Sequence, residues 1–76
     1  MMREDEVKLL QEVFSSVKEY LAYPTELRER VDSMAKTSGD IISFMSDFKK
    51  SNSSQENVTR KTDGDILLNQ LKRRLS

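Results

Sequence analysis

The residue types that carry most enzymatic chemistry are missing from this sequence. Its 76 residues include no His and no Cys, so the commonest general base and the strongest nucleophile are absent, and any chemistry would fall to carboxylates, Ser, Lys or Tyr. The same absence removes disulfides and nearly removes a structural zinc. Asp63 and Asp65 come closest to a metal or acid–base pair. In Thr62-Asp63-Gly64-Asp65, directly ahead of Ile66-Leu67-Leu68, they read instead as a helix start with capping-box spacing. Most other carboxylates fall on faces that periodicity assigns to solvent. Two glycines and no Gly-rich loop leave nothing to cradle a phosphate. The sequence predicts a protein that is not an enzyme, with no cofactor, no metal and no small-molecule substrate.

Phosphate contact is the next chemistry to weigh. Lys72, Arg73 and Arg74, together with Arg60-Lys61, are the candidates, because Lys and Arg supply the sequence-independent part of nucleic-acid affinity. Glu56, Asp63 and Asp65 offset them in the same segment, and no reading helix, zinc knuckle or interleaved aromatic platform stands beside them in sequence. The whole chain balances thirteen basic against thirteen acidic residues, so no strong field draws it to nucleic acid or anionic lipid. A weak nucleic-acid-binding or regulatory dimer that gathers two basic C-terminal tails is therefore the secondary expectation.

Three short motifs carry little. Arg73-Arg74-Leu75-Ser76 has the form that basophilic kinases select, while Asn52-Ser53-Ser54 and Asn57-Val58-Thr59 have the form of glycosylation acceptors. The opening MMREDE lacks the basic and apolar blocks of a secretory leader, and no apolar run approaches the roughly 18 residues of a membrane span. The expectation is a cytoplasmic protein that makes no membrane contact and leaves both triplets unmodified.

What remains is binding through apolar periodicity. Between Thr25 and Phe48, the residues Leu27, Val31, Met34, Ile41, Met45 and Phe48 recur at alternating gaps of four and three when Ser38 is counted among them, the period of a helix with one apolar seam. Glu26 to Arg30 and Asp32 to Lys36 repeat the acid-before-base spacing of an exposed helical face. Upstream, Val7, Leu10, Phe14, Val17 and Leu21, widened by Leu9, Val13 and Tyr20, predict a first helix over 4–22 whose stripe suits a bundle. Tyr23-Pro24 ends it, and Pro24 suits the first turn of the next helix. A connection this short predicts an antiparallel hairpin.

Lys36-Thr37-Ser38-Gly39-Asp40 gives conflicting signals. Locally it reads as a helix stop followed by a cap, whereas the apolar phase runs through Ser38 without slip. On that phase the second helix is continuous over 24–50, and Ser38 and Gly39 are small residues that admit another helix. Val31, Ala35, Gly39-Asp40 and Ile42 brush against the pattern of groove-inserting BH3 death motifs. They depart from it at Ala35, where a large leucine belongs, and at Ser38, an anchor that should be apolar, so nothing of that family carries over.

Residues 51–62 are polar and aperiodic and predict an exposed linker. Beyond them, Leu68, Leu71 and Leu75 continue at helical spacing, with Lys72-Arg73-Arg74 suited to a helix end, predicting a short amphipathic C-terminal helix over 63–76. The predicted fold class is thus all-α: one domain made of a two-helix hairpin over 1–50, a polar linker and a short helix. A chain of this size rarely gains more than about 3–5 kcal/mol from its own core, so the seam is expected to close against a second copy or another protein. The predicted function is a small protein–protein interaction module, such as an adaptor, chaperone, inhibitor or assembly subunit. Its expected partner-binding residues are Phe14, Leu21, Val31, Met34, Ile41, Met45 and Phe48, with Leu68, Leu71 and Leu75 from the last helix.

Overall fold

A computed structural model describes residues 2–75, and the kinase-type Ser76 lies outside the described residues. The described chain is all-α, with four α-helices and no strand: α1 Glu4–Val17, α2 Pro24–Thr37, α3 Ile41–Ser53 and α4 Val58–Leu75. No helix among the described residues is long and apolar enough to cross a membrane.

The first helix starts as its composition requires. Glu4, Asp5 and Glu6 fill the first turn, facing the positive end of the helix dipole, and the Glu6 carboxylate accepts the Arg3 backbone N–H at 3.2 Å. The α-helix stops at Val17 rather than reaching Ala22. A 3₁₀ turn over Lys18–Tyr20 follows, and Leu21 is extended (φ −91°, ψ 140°). That extension drops Leu21 into the core and leads the chain to Pro24, which takes the first position of α2.

The expected continuous helix over 24–50 is two helices. Ser38 (φ −84°, ψ 141°) leaves the helical region, and Asp40 (φ −153°, ψ 176°) caps the next helix by accepting the Ser43 N–H at 2.7 Å. The local stop-and-start signals therefore override the phase. Competing hydrogen bonds explain the break: the Met34 carbonyl accepts the Ser38 N–H at 3.1 Å, the Ser38 hydroxyl at 2.8 Å and the Thr37 hydroxyl at 3.1 Å. Hydroxyls that satisfy a helix's last carbonyl make stopping there cheap. The Ile41 N–H, orphaned at the new helix start, is accepted by Glu6 Oε2 at 3.0 Å. Gly39 admits no helix, because a β-carbon built on it would meet nothing within 4 Å.

The expected polar linker over 51–62 is mostly helix. α3 runs through Ser53 and α4 begins at Val58, leaving a short turn over 54–57. Asn57 starts α4, accepting the Arg60 N–H on Oδ1 at 3.1 Å and the Lys61 N–H on its carbonyl at 3.0 Å. The expected helix start at Thr62-Asp63 lies inside α4, where the Thr62 hydroxyl turns back to the Val58 carbonyl at 2.9 Å. Periodicity misled here because the first turn of α4 is exposed and has no apolar stripe; polar links hold it instead, the Asn57 cap, the Arg60–Glu26 pair and the Asn52 bond to the Lys61 carbonyl.

The expected hairpin is replaced by a bundle in which α4 is the shared neighbour. α4 packs against α1, α2 and α3, α2 also packs against α3, and α1 and α2 do not pack closely on each other. The core draws Leu10, Val13 and Val17 from α1, Leu27 and Val31 from α2, Ile41, Phe44 and Phe48 from α3, and Leu67, Leu68 and Leu71 from α4. Phe44 and Phe48 stack with centroids 5.6 Å apart at 25°, a pairing that adds to their area burial.

Candidate functional site

Polar side chains fix the junctions of the bundle before any groove is formed. Asp63, only 3% exposed, accepts the Ala22 N–H at 3.0 Å and the Tyr23 N–H at 2.8 Å. Two amides of the α1–α2 connection, outside any ladder, are thereby satisfied by a charged acceptor, the stronger kind of hydrogen bond. The capping role expected of Asp63 is thus corrected: its carboxylate binds a turn 40 positions away. Asn52, the first of the glycosylation-type residues, is buried on α3. Its Nδ2 donates to the Lys61 carbonyl at 3.0 Å and to Asp65 Oδ1 at 2.9 Å. Both acids of the Asp63/Asp65 pair are therefore engaged in holding helices together. No group of three or more His, Cys, Asp or Glu side chains among the described residues could hold a metal.

Most of the residues assigned to a partner lie in the chain's own interior. Leu21, Val31, Ile41, Phe48, Leu68 and Leu71 are buried in the core, Phe14, Met34 and Met45 are half-buried against it, and Leu75 is exposed. The core also contains Phe44 and Leu67, both 0% exposed, which the seam left out. Phe44 had a readable signal: Ile41, Phe44, Met45 and Phe48 stand at spacings of three, four and seven, the broad stripe of a globular helix.

An open groove with apolar residues in its lining lies between α1 and α2. Val7, Leu10 and Phe14 from α1 and Val31 and Ala35 from α2 line a groove of about 320 Å³. Gln11, Ser15, Lys18, Arg28 and Asp32 complete its lining. Asp32 lies 3.9 Å from Arg28 on the next turn, while Lys18 has no ion-pair partner among the described residues. The groove thus mixes five apolar residues with five polar or charged ones and carries one surplus positive charge.

A second groove, of about 440 Å³, lies beside Tyr23, Glu26, Arg30 and Arg60. Glu29 also lines it and has no ion-pair partner among the described residues, while the other charges are engaged within the chain. Arg60 pairs with Glu26 at 2.8 Å and lies over the Tyr23 ring at 5.3 Å. Arg30 lies over Phe48 at 4.8 Å, and its Nη2 is buried with no hydrogen-bond partner. Burial lowers the pKa of this guanidinium, disfavouring its charge through desolvation. An atom without accessible surface meets neither water nor ligand, so Glu29 is the main charge this groove leaves to a ligand.

Of the phosphate-contact candidates, Arg74 is held by Glu12 at 3.1 Å. Lys72 and Arg73 line a third groove with Tyr20, an aromatic neighbour that sequence order conceals. No protein-family model, no curated protein and no solved structure matches this chain.

Proposed function

We propose that this protein is a small non-enzymatic protein–protein interaction module whose groove between α1 and α2 receives the apolar row of a partner's amphipathic helix. The observation that carries the reading is Phe14, half-buried between two helices that do not close on each other, with Val7, Leu10, Val31 and Ala35 around it. An unfilled apolar gap forfeits the dispersion contacts its lining would otherwise make, and helix-in-groove recognition restores them with side chains at helical spacing. The surplus charge of Lys18 selects a partner helix with a carboxylate beside its apolar anchors. The module acts as an adaptor or assembly subunit, since nothing in the groove does more than hold.

The test is selection from a displayed library of amphipathic helices with varied apolar anchors and flanking charges, followed by NMR mapping of the selected peptide. The expected result is a peptide with an acidic flank that shifts Val7, Phe14 and Ala35. Ala35→Phe, which fills the groove from its own wall, should weaken that peptide at least about tenfold, and Lys18→Glu should weaken it several-fold. A library that yields no binder, or binders that map elsewhere and ignore Ala35→Phe, overturns the reading.

A further inference from the structure

The row that α1 turns toward the groove it shares with α2 has a charge pattern complementary to its own reverse. Glu4, Val7, Gln11, Phe14 and Lys18 recur at gaps of three and four, one line along a helix, and Val7, Gln11, Phe14 and Lys18 all line the groove. Gln11 stands at the middle, seven positions from the acid at one end and seven from the base at the other. Lys18, just past the α-helix, still keeps helical dihedrals (φ −50°, ψ −40°). Glu4, Gln11 and Lys18 are exposed, and Val7 and Phe14 are half-buried. Neither Glu4 nor Lys18 has an ion-pair partner among the described residues. The other acids of the first turn are engaged: Asp5 lies 3.5 Å from Arg3, and Glu6 accepts the Arg3 and Ile41 backbone N–H groups.

We propose that the groove is occupied by α1 of a second copy of this chain, packed antiparallel about a twofold axis at Gln11, so that Glu4 of each copy pairs with Lys18 of the other. The inference rests on the reading of this groove as a helix-binding site and names its occupant. Glu4 and Lys18 lie roughly 21 Å apart along the helix, at 1.5 Å per residue. Reversing one such row on another therefore brings opposite charges together at both ends and sets Gln11 against Gln11 at the centre. On each side of the axis Val7 meets Phe14 of the other copy, and their exposed parts cover each other. A twofold contact uses the same patch on both chains, so every favourable pair occurs twice. Any helix with one carboxylate satisfies Lys18, but a second copy also satisfies Glu4 by the same operation. The parallel alignment would set Glu4 against Glu4 and Lys18 against Lys18, and those like charges select against it.

The experiment is sedimentation equilibrium of the whole chain over a wide concentration range, at low and high salt, with helicity checked by circular dichroism. The expected result is a reversible monomer–dimer equilibrium that weakens as salt screens the two pairs. Lys18→Glu places two acids across from each other at both ends, and Glu4→Lys places two bases there, so each variant alone should dimerise at least about fivefold more weakly. Mixed in equal amounts, the two variants should recover the parent affinity as a heterodimer, which a misfolded variant cannot do. A chain that stays monomeric throughout overturns the inference. If a displayed helix still maps to Val7, Phe14 and Ala35 in that case, the reading of the groove survives alone; if none does, both fall. A dimer that ignores both charge reversals, or a mixture that gains nothing over the single variants, also overturns the inference and assigns self-association to another face.

Discussion

Asn52 lies so close over Gly64 that its carboxamide occupies the space where a β-carbon on residue 64 would stand. The amide is held there from both sides of the glycine, donating to the Lys61 carbonyl and to Asp65 Oδ1, while its Oδ1 has no hydrogen-bond partner. α3 and α4 therefore approach at a point that only glycine permits. This contact lets α4 continue through a residue that ordinarily weakens a helix interior by about 1 kcal/mol.

Gly64→Ala should destabilise the protein, against the usual sense of that substitution in a helix. The propensity gain of about 1 kcal/mol is opposed by overpacking of about 1–3 kcal/mol, made worse because the displaced amide carries two hydrogen bonds. The expected net loss is about 1 kcal/mol, or a Tm lower by about 4–8 °C in a domain of this size. In an Asn52→Ala background the same change should become neutral or stabilising, since the obstruction is gone. A Tm that rises in the single variant would show that Asn52 moves aside freely.

Asp63→Ala should cost about 1–3 kcal/mol, because the Ala22 and Tyr23 amides lose a charged acceptor and are left poorly solvated. Asp63→Asn, which keeps one acceptor oxygen, should fall between the two. Urea unfolding gives the free energies, and amide exchange gives the location: Ala22 and Tyr23 should exchange faster while Ser43, at the start of α3, does not. A loss below about 0.5 kcal/mol for Asp63→Ala would mean that water replaces the carboxylate.

These two positions show why part of the molecule was legible and part was not. Pro24 at a helix start and the acids of the first turn of α1 follow from local stereochemistry, and sequence reasoning places them correctly. Apolar phase is a different kind of signal. It reports which positions face the core, and Val31, Ser38, Ile41 and Phe48 are indeed all buried. It says nothing of whether the chain between them is helical, so the break at Ser38 was missed although Gly39 and Asp40 announce it. Asp63 and Gly64 mimic a helix start within their own tetrapeptide, and their partners, Tyr23 and Asn52, lie 40 and 12 positions away. Nothing within a local window encodes those partners. The same holds for the grooves: Phe14 meets Ala35, and Tyr20 meets Lys72, only once α4 has been placed between its neighbours.

The start of α3 should weaken in acid. The Ser43 backbone N–H, with further help from the Ser43 side chain, holds the Asp40 carboxyl below its ordinary aspartate value. A carboxyl with a lowered folded-state pKa adds stability above the unfolded value and loses it as pH falls through the folded one. The Ser43 amide shift should therefore titrate below about pH 4, with its exchange rate rising over the same interval, and Asp40→Asn should abolish that titration. An amide shift that stays flat down to the acid-unfolding transition would mean that Asp40 does not cap α3 in solution.

Arg30→Met should leave stability unchanged or raise it slightly. Arg30 is spaced from Glu26 for the usual acid-before-base pair, but Glu26 is held by Arg60, and the guanidinium is left over Phe48 with Nη2 buried and unpaired. Methionine keeps an unbranched apolar stem against the ring and removes the unsatisfied donor. The cation–π contact given up is worth about 0.5–1 kcal/mol, and the buried unpaired donor relieved is worth about 1–3 kcal/mol, so the second should win by a small margin. Arg60→Ala tests the same argument from the other side, because it frees Glu26 to reach Arg30, and Arg30→Met should then become destabilising. A single Arg30→Met variant that loses more than about 1 kcal/mol in urea unfolding would show that Arg30 already shares Glu26 with Arg60 in solution.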